Sequence, residues 1–305
     1  MIGGTEDMVR GLFGALAERE FEGAAKWLRE DVRLMSVATG DSYTGRRGFI
    51  EYHRGWSAAF PDLRIDSLEL AGDGDRVVVE YEMEGTHTGP LLTPRCHIPA
   101  TGMEIQVRFA DVLDLTNGKV AAFRRYFDTV TMLRQLGLVA GTPLHAPDRR
   151  APLELYAQPV DTNAPQRHKA IVHRFLQEVF DRRNAAAAAD SCAKGYLWHG
   201  GHLGDATSLH DYQAVITSFF VGFPDLEVEV LDTIAEGDRV AVRFTMNGTH
   251  LGPFKGISPT YSRISGSGAS TFRIAEGRIV EEWWQGDLLA LLRQLEAKPA
   301  PDGTV

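Results

Sequence analysis

One segment occurs twice in this chain of 305 residues. Residues 60–90 read FPDLRIDSLELAGDGDRVVVEYEMEGTHTGP, and residues 223–253 read FPDLEVEVLDTIAEGDRVAVRFTMNGTHLGP, with no gap between them. FPDL, GDRV and GTHxGP return in the same order at the same spacing, which two unrelated amphipathic stretches would not produce. Each copy then runs through two more strand-like stretches to an Asp that opens a leucine-rich helix, FDTVTMLRQLG from Phe127 and GDLLALLRQLE from Gly286. The spacing slips only after Pro90 and Pro253, where the first copy is four residues longer, as an insertion in a loop would be. The chain is an internal duplication, and its length suits two cores of ordinary domain size.

Each copy places helices before a run of hairpins. Val9, Leu12, Phe13, Leu16 and Ala17 share one stripe, which predicts an amphipathic helix over residues 5–29, interrupted near 20–22. Alternation predicts strands at 31–38, 63–70, 76–85, 104–115 and 120–127, with a helix at 47–60 that stops at Pro61. The last hairpin carries the tight-turn pair Asn117 and Gly118. The second copy repeats the plan: a helix over 167–180 extended by the alanines of 185–189, a strand near 196–199 and a helix over 209–220. Strands at 226–234, 239–248, 262–274 and 278–284 follow, and then a helix over 287–296. Residues 139–166, with Pro143, Pro147, Pro152, Pro159 and Pro165, read as an extended linker, and 299–305 as a disordered tail. The expected fold class is α+β, two tandem curved antiparallel sheets with helices against them, over residues 1–138 and 167–298.

Composition limits the partners. A net charge of −9 argues against a surface for nucleic acid. Cys96 and Cys192 sit at non-equivalent places in the two copies, so neither a disulfide framework nor a metal site is expected, and a reducing cytoplasm fits. The first twenty residues lack a basic-then-apolar signal pattern, and no stretch reaches the roughly 18 apolar residues of a membrane span. There is no GxSxG elbow, Walker loop or dinucleotide fingerprint.

The strings FPDL, GDRV, GTHTGP, IPATG at 98–102 and FDTVTMLRQLG resemble the SnoaL-like polyketide cyclases of the NTF2-like superfold. The second copy resembles them through FPDL, GTHLGPFKGISPT and FRIAEGRIVEEWWQGDLLALLRQLE, so the resemblance covers nearly everything outside the linker. It implies a cone-shaped sheet closed by helices around an apolar pocket, often in a dimer. It also implies an intramolecular aldol ring closure on a polyketide, with no cofactor and no metal. The two copies are then expected to pack sheet to sheet about a pseudo-twofold axis, imitating that dimer.

Asp128 and Asp287 match the family's acid/base aspartate. Aromatic neighbours, Tyr126 and Phe127 in one copy and Trp283 and Trp284 in the other, would desolvate either carboxylate and raise its pKa toward neutrality. An Asp just before a helix is equally what an N-cap requires. His87 and His250, in GTHxGP, match a pocket-lining histidine and equally suit anchors of the turn before Gly-Pro. Tyr196, Trp198, His199, Trp283, Trp284 and Gln285 are candidates to hold a flat ligand, with core packing as the alternative. His202 lies close by among glycines. In the first copy Arg124 and Arg125 replace the tryptophan pair, and alternation lets only one of them face inward. An inward arginine would bind an acidic substrate or depress the pKa of Asp128, so the second copy is the expected active one. The partner is expected to be an apolar or aromatic small molecule. The competing readings are a non-catalytic carrier of such a molecule, or an epoxide hydrolase or isomerase on the same superfold.

Overall fold

Both copies realise the helix-then-hairpin order in the computed structural model, which describes residues 3–94, 96–139 and 163–296. The first copy comprises α1 (Gly3–Ala17), α2 (Phe21–Ala24), β1 (Leu28–Ser36), β2 (Asp41–Thr44), α3 (Gly45–Ala59), β3 (Arg64–Asp73) and β4 (Arg76–Thr86). It continues through the small hairpin of β5 (Leu91–Thr93) and β6 (Cys96–Ile98) to β7 (Glu104–Thr116), β8 (Lys119–Phe127) and α4 (Thr129–Gln135). The second begins with α5 (Ala164–Leu176), a π-helical turn (Gln177–Asp181), α6 (Ala188–Ser191), β9 (Cys192–His199), β10 (Asp205–Ala206) and α7 (Leu209–Gly222). Then come β11 (Glu227–Glu236), β12 (Arg239–Thr249), β13 (Arg263–Ala275), β14 (Arg278–Gly286) and α8 (Leu288–Glu296). The proposed linker and tail fall mostly outside the described residues; α5 already begins at Ala164, with Pro165 in its first turn, where a missing N–H costs nothing.

The strand orders are β2-β1-β8-β7-β4-β3 and β10-β9-β14-β13-β12-β11, the same topology twice, left open rather than closed into barrels. Neighbours are antiparallel except β1 with β8 and β9 with β14, which run parallel, so the sheets are mixed. In each copy the first strand is followed by a short antiparallel edge strand and a helix, and the chain's last strand returns on the first strand's other side, parallel to it. The β7–β8 turn places Asn117 at φ 52° and Gly118 at φ 69°, the geometry of a tight hairpin, and Glu276 and Gly277 repeat it at 50° and 72°. The length difference between copies is the β5–β6 hairpin, reduced in the second copy to one bridge between Phe254 and Ile257.

The first strand starts three residues earlier than its alternation suggests. Leu28 and Val32 are both buried, but a register shift lies between Leu28 and Arg33, so the period of two breaks there. Upstream, Arg19 takes φ 61° and separates α1 from α2 within the stretch read as one interrupted helix.

One face of each sheet packs on its own helices, and the opposite faces meet each other. Ala71, Val78, Ala110, Val112 and Tyr126 of the first copy are buried with Ile234, Ala241 and Ala269 of the second. By the shared spacing, Ala71 and Ile234, Val78 and Ala241, and Ala110 and Ala269 are equivalent positions. The charged rim has the same property, for Arg239 pairs with Glu69 at 2.9 Å and the equivalent Arg76 lies 3.7 Å from Asp232. A patch that meets its own counterpart is the signature of a twofold, isologous contact. No described helix is long and apolar enough to cross a membrane.

Candidate functional site

The helix-facing sides of the two sheets differ where it matters for chemistry. In the first copy Phe109 stacks between Tyr81 (5.4 Å) and Phe127 (4.7 Å), and Trp56 sets its edge on Phe109 and Phe127, each at 5.9 Å. Arg125, opposite Asp111 on the neighbouring strand, is buried among these rings. Its Nε and Nη2 donate to the two Asp111 oxygens at 2.9 and 2.8 Å, and Tyr81 Oη donates to Asp111 at 2.8 Å. The guanidinium lies over the rings of Tyr52, Tyr81, Phe109 and Phe123 at 5.2–5.9 Å. Charge and hydrogen bonds are satisfied internally, and the rings occupy the space a ligand would need.

The strand registers put Gly268 where the first copy has Phe109, Gly286 where it has Phe127, Ser270 for Asp111 and Trp284 for Arg125. Removing two phenyl rings leaves room that Trp284 and Phe244 turn into. A Cβ at Gly286 would overlap the Trp284 indole, and one at Gly268 would meet Phe244 at 2.7 Å, so only glycine allows these rings their positions. The result is a narrow recess of about 30 Å³ between α5, β11, β12, β13 and β14, walled by apolar side chains including Val242, Phe244, Met246, Phe272 and Trp284. Its polar groups are Ser270 and Glu282.

Glu282 is 4% exposed. Tyr196 Oη donates to its Oε2 at 2.6 Å, Ser270 Oγ donates to its Oε1 at 2.8 Å, and Trp198 adds a third hydrogen bond. Burial outweighs these donors and pushes the carboxyl up to about 7. The first-copy residue at this place in the register is Phe123, so the acid belongs to the second copy alone.

The named candidates divide by sheet face. Tyr196, Trp198 and Trp284 lie on the recess side, the first two gripping Glu282 and the third lining the recess. Trp283 faces the other copy, whose Arg108 sits over its ring at 4.7 Å, while from its own copy Arg239 lies over it at 4.9 Å and His199 stacks on it at 5.5 Å. His199 is held by Glu281 at 2.9 Å; burial opposes its charge, but hydrogen bonds with Asp205 and Glu281 raise its pKa. Burial would likewise raise Glu281, but bonds from His199 and Arg273 hold it down to about 2. Gln285 alternates with Trp284 and is buried away from the recess; Tyr126 is buried in the contact between copies, and Arg124 pairs with Asp114 at 2.7 Å. The His202 side chain lies outside what is described.

Asp128 and Asp287 both cap helices. Asp128 Oδ1 accepts from the N–H groups of Val130 and Thr131 at 2.9 and 3.1 Å, and Asp287 Oδ1 accepts from Ala290 at 3.0 Å. The second copy's Gly201 packs against the Asp128 carboxylate. Burial pushes Asp287 up to about 6, against the pull of the Ala290 N–H, and Asp128 adds to the rise. Neither aspartate is among the residues lining the recess. His87 and His250 are buried, their Nδ1 atoms accepting from the N–H groups of Thr101 and Thr260 at 3.2 Å, and burial lowers the pKa of both. They tie down the loop after GTHxGP, stacked near Phe60 and Phe223 at 5.0 and 5.3 Å.

Outside the recess lies a wider vestibule of about 290 Å³, lined by His173, Gln177, Asp181 and Val230 together with Leu176, Phe180 and Val228. The last three also line the recess, so the two spaces are adjacent. Among the described residues, no group of three or more His, Cys, Asp or Glu is arranged to hold a metal ion.

The sequence profile of the SnoaL-like polyketide cyclases matches residues 6–136 and again 170–295. None of the curated proteins compared with the chain matches it. Among solved structures, a candidate SnoaL-like polyketide cyclase from Jannaschia sp. CCS1 is 24% identical over 47% of this chain and 100% of its own, with a TM-score of 0.42. IdmH from Streptomyces antibioticus is 28% identical over 43% of this chain and 99% of its own, with a TM-score of 0.38. TsrD from Streptomyces laurentii is 24% identical over 43% and 96%, with a TM-score of 0.40. Each is thus similar in length to a single copy.

Proposed function

The chain belongs to the SnoaL-like polyketide cyclase family, and from that premise we propose that its second copy closes a ring in a carbonyl-bearing apolar molecule by an intramolecular aldol reaction, with Glu282 as acid and base. The observation that carries this reading is a carboxyl with a pKa of about 7 at the only acidic group of an apolar recess. A carboxylate whose pKa lies near the working pH is available in both protonation states, the condition for efficient general acid-base catalysis. In its ionised form Glu282 removes a proton α to one carbonyl. The carbanion, stabilised as an enolate, attacks a second carbonyl in the same molecule, and the new alkoxide takes the proton back from Glu282. The proton count closes, and nothing leaves. Tyr196 and Ser270 each bond one oxygen of the carboxyl, which fixes its plane toward the recess and leaves lone pairs for substrate. Trp284 and Phe244 supply flat walls on which a conjugated chain folds.

The first half of this reaction is testable with a simple ketone. Exchange of the methyl protons of 2-acetylnaphthalene in deuterated water, followed by NMR, should be faster with the protein than in buffer. Glu282→Gln should remove on the order of 10²-fold or more of that acceleration. Asp287→Asn, outside the recess, should retain it within a few-fold. Exchange by Glu282→Gln equal to that of the unaltered protein rejects the carboxylate assignment. Binding of the ketone with no exchange by the unaltered protein indicates a carrier instead.

A further inference from the structure

We propose that the π-helical turn of Gln177–Asp181 is a gate, and that Phe180 is the residue whose movement admits a substrate to Glu282. The proposal rests on the reading of Glu282 given above and adds how that acid is reached. In this structure the acid is shut in. The recess, at about 30 Å³, has room for about two waters at roughly 10–15 Å³ each and none for a ring system. The vestibule beside it, at about 290 Å³, approaches the ~300 Å³ of a small ligand site. A molecule that rests in the vestibule therefore reaches Glu282 only when the wall common to both spaces, formed by Leu176, Phe180 and Val228, gives way.

Of these three, Phe180 is the least tied down. Val228 is held in the β11–β12 ladder opposite Met246, and Leu176 closes α5, which the buried Val172 and Phe175 pin to the core. Phe180 is half-buried and meets the Phe220 ring edge-on at 6.2 Å. Its turn exists because the second copy carries an extra residue here. In burial, Val172 and Phe175 match Val9 and Leu12 of α1, and Arg183 at φ 54° matches Arg19 at 61°, yet the segment from Val172 to Arg183 is one residue longer than that from Val9 to Arg19. The hydrogen bonds show where the residue went. Glu18 donates to Gly14 O at 3.0 Å, an α-helical bond, whereas its counterpart Arg182 reaches one residue further, to Gln177 O at 3.1 Å. Single π-turns of this kind recur at functional sites. Passing the extra residue into the loop at Arg182–Asn184 restores α geometry, and a one-residue shift on an α-helix swings a side chain through about 100°. That rotation takes the Phe180 ring off the shared wall. Arg183 anchors the downstream end, donating to Phe223 O and Leu226 O at 3.2 Å with its guanidinium 4.8 Å from the Phe220 ring.

The test follows 2-acetylnaphthalene binding to the full chain by temperature-jump relaxation of tryptophan emission, with Trp284 reporting arrival in the recess. In the unaltered protein the relaxation rate should reach a ceiling at high ketone, set by opening of the gate on the μs–ms scale of such motions. Phe180→Ala should remove the ceiling, so that the rate rises in proportion to ketone and exceeds that of the unaltered protein by about tenfold or more at the highest concentration. A ring that only packs there would change affinity and leave the form of the concentration dependence alone. A ceiling that survives in Phe180→Ala overturns the proposal, as does a rate proportional to ketone in the unaltered protein or a ketone that binds neither protein. The two readings fail separately. A ceiling abolished by Phe180→Ala, with proton exchange untouched by Glu282→Gln, keeps the gate and removes the base, whereas proportional rates with exchange lost in Glu282→Gln remove the gate and keep the base.

Discussion

Replacing Glu282 by Gln should make the protein more stable at alkaline pH, and the gain should vanish in acid. The carboxyl is raised from 4.5 to about 7 in the folded chain. A group with a raised folded pKa binds its proton more tightly folded than unfolded, so its contribution is intact below about pH 4.5 and is lost as pH climbs to about 7. At 1.36 kcal/mol per pK unit the loss amounts to about 3 kcal/mol at full ionisation. Gln keeps the shape, accepts from one of Tyr196 and Ser270 through its carbonyl and donates to the hydroxyl of the other through its amide, but never carries the charge. Urea unfolding followed by tryptophan emission reads mainly the relevant copy, because three of the five tryptophans, Trp198, Trp283 and Trp284, lie there. The stability difference between variant and unaltered protein should grow by about 3 kcal/mol between about pH 4.5 and pH 8. Asp287 and His199 titrate in both proteins, so their contributions cancel in the comparison. A difference that stays constant within about 0.5 kcal/mol across that range would refute a carboxyl poised near neutrality.

In the first copy, Asp111→Asn should cost about 3–5 kcal/mol, because Arg125 would be left buried without its counter-charge, whereas replacing the pair by Asp111→Leu with Arg125→Met should recover most of that. Thermal melting checks both, and a single variant costing less than about 1 kcal/mol contradicts the buried pair. Gly286→Ala should drive the Trp284 indole into the recess, weakening 2-acetylnaphthalene binding by about tenfold or more with a stability cost of about 1–3 kcal/mol. Unchanged binding in that variant would show that the glycine does not shape the recess.

The duplication, the strand and helix succession and the hairpin turns were legible because each has a local signal: repeated punctuation, alternation and left-handed turn residues. The assignment of side chains to faces was not. On β14 the buried Ile279 pairs with Ile274 and Glu281 pairs with Arg273, so Val280 is an extra residue in the ladder. Counting by twos from Ile279 puts Glu281, Trp283 and Gln285 on the recess side; the bulge reverses the phase and puts Glu282, Trp284 and Gly286 there instead. β8 has the same shift, between Asp114 and Leu115 on its partner strand, and it turns Arg125 inward and Arg124 outward. The motif EEWW was visible, but which of its two glutamates faces the recess depends on one inserted residue. The motif-matched aspartates, by contrast, were legible as caps from their position before a helix.

Two copies on one chain are released from a constraint that binds a symmetric dimer, in which any residue serves the interface and the pocket of both subunits at once. Here the self-complementary surface persists on both sides, in the paired contacts of Arg239 with Glu69 and Arg76 with Asp232, while the interiors have parted. The interior of the first copy is filled by closely stacked rings around the Arg125–Asp111 pair, and close packing of that kind resists deformation. That rigidity is applied where it is useful. Glu281 and Trp283, the strand neighbours of Glu282, point toward the first copy, and Arg108 from that copy sits over the Trp283 ring at 4.7 Å. Arg108 is in turn held by Glu80 at 3.3 Å, a buried carboxylate of β4. The strand that carries the acid is thus gripped from behind by a side chain of the copy without one, which limits how far the Glu282 carboxyl can drift from Tyr196 and Ser270. On the mechanism proposed for Glu282, the first copy's part is to hold that strand in place.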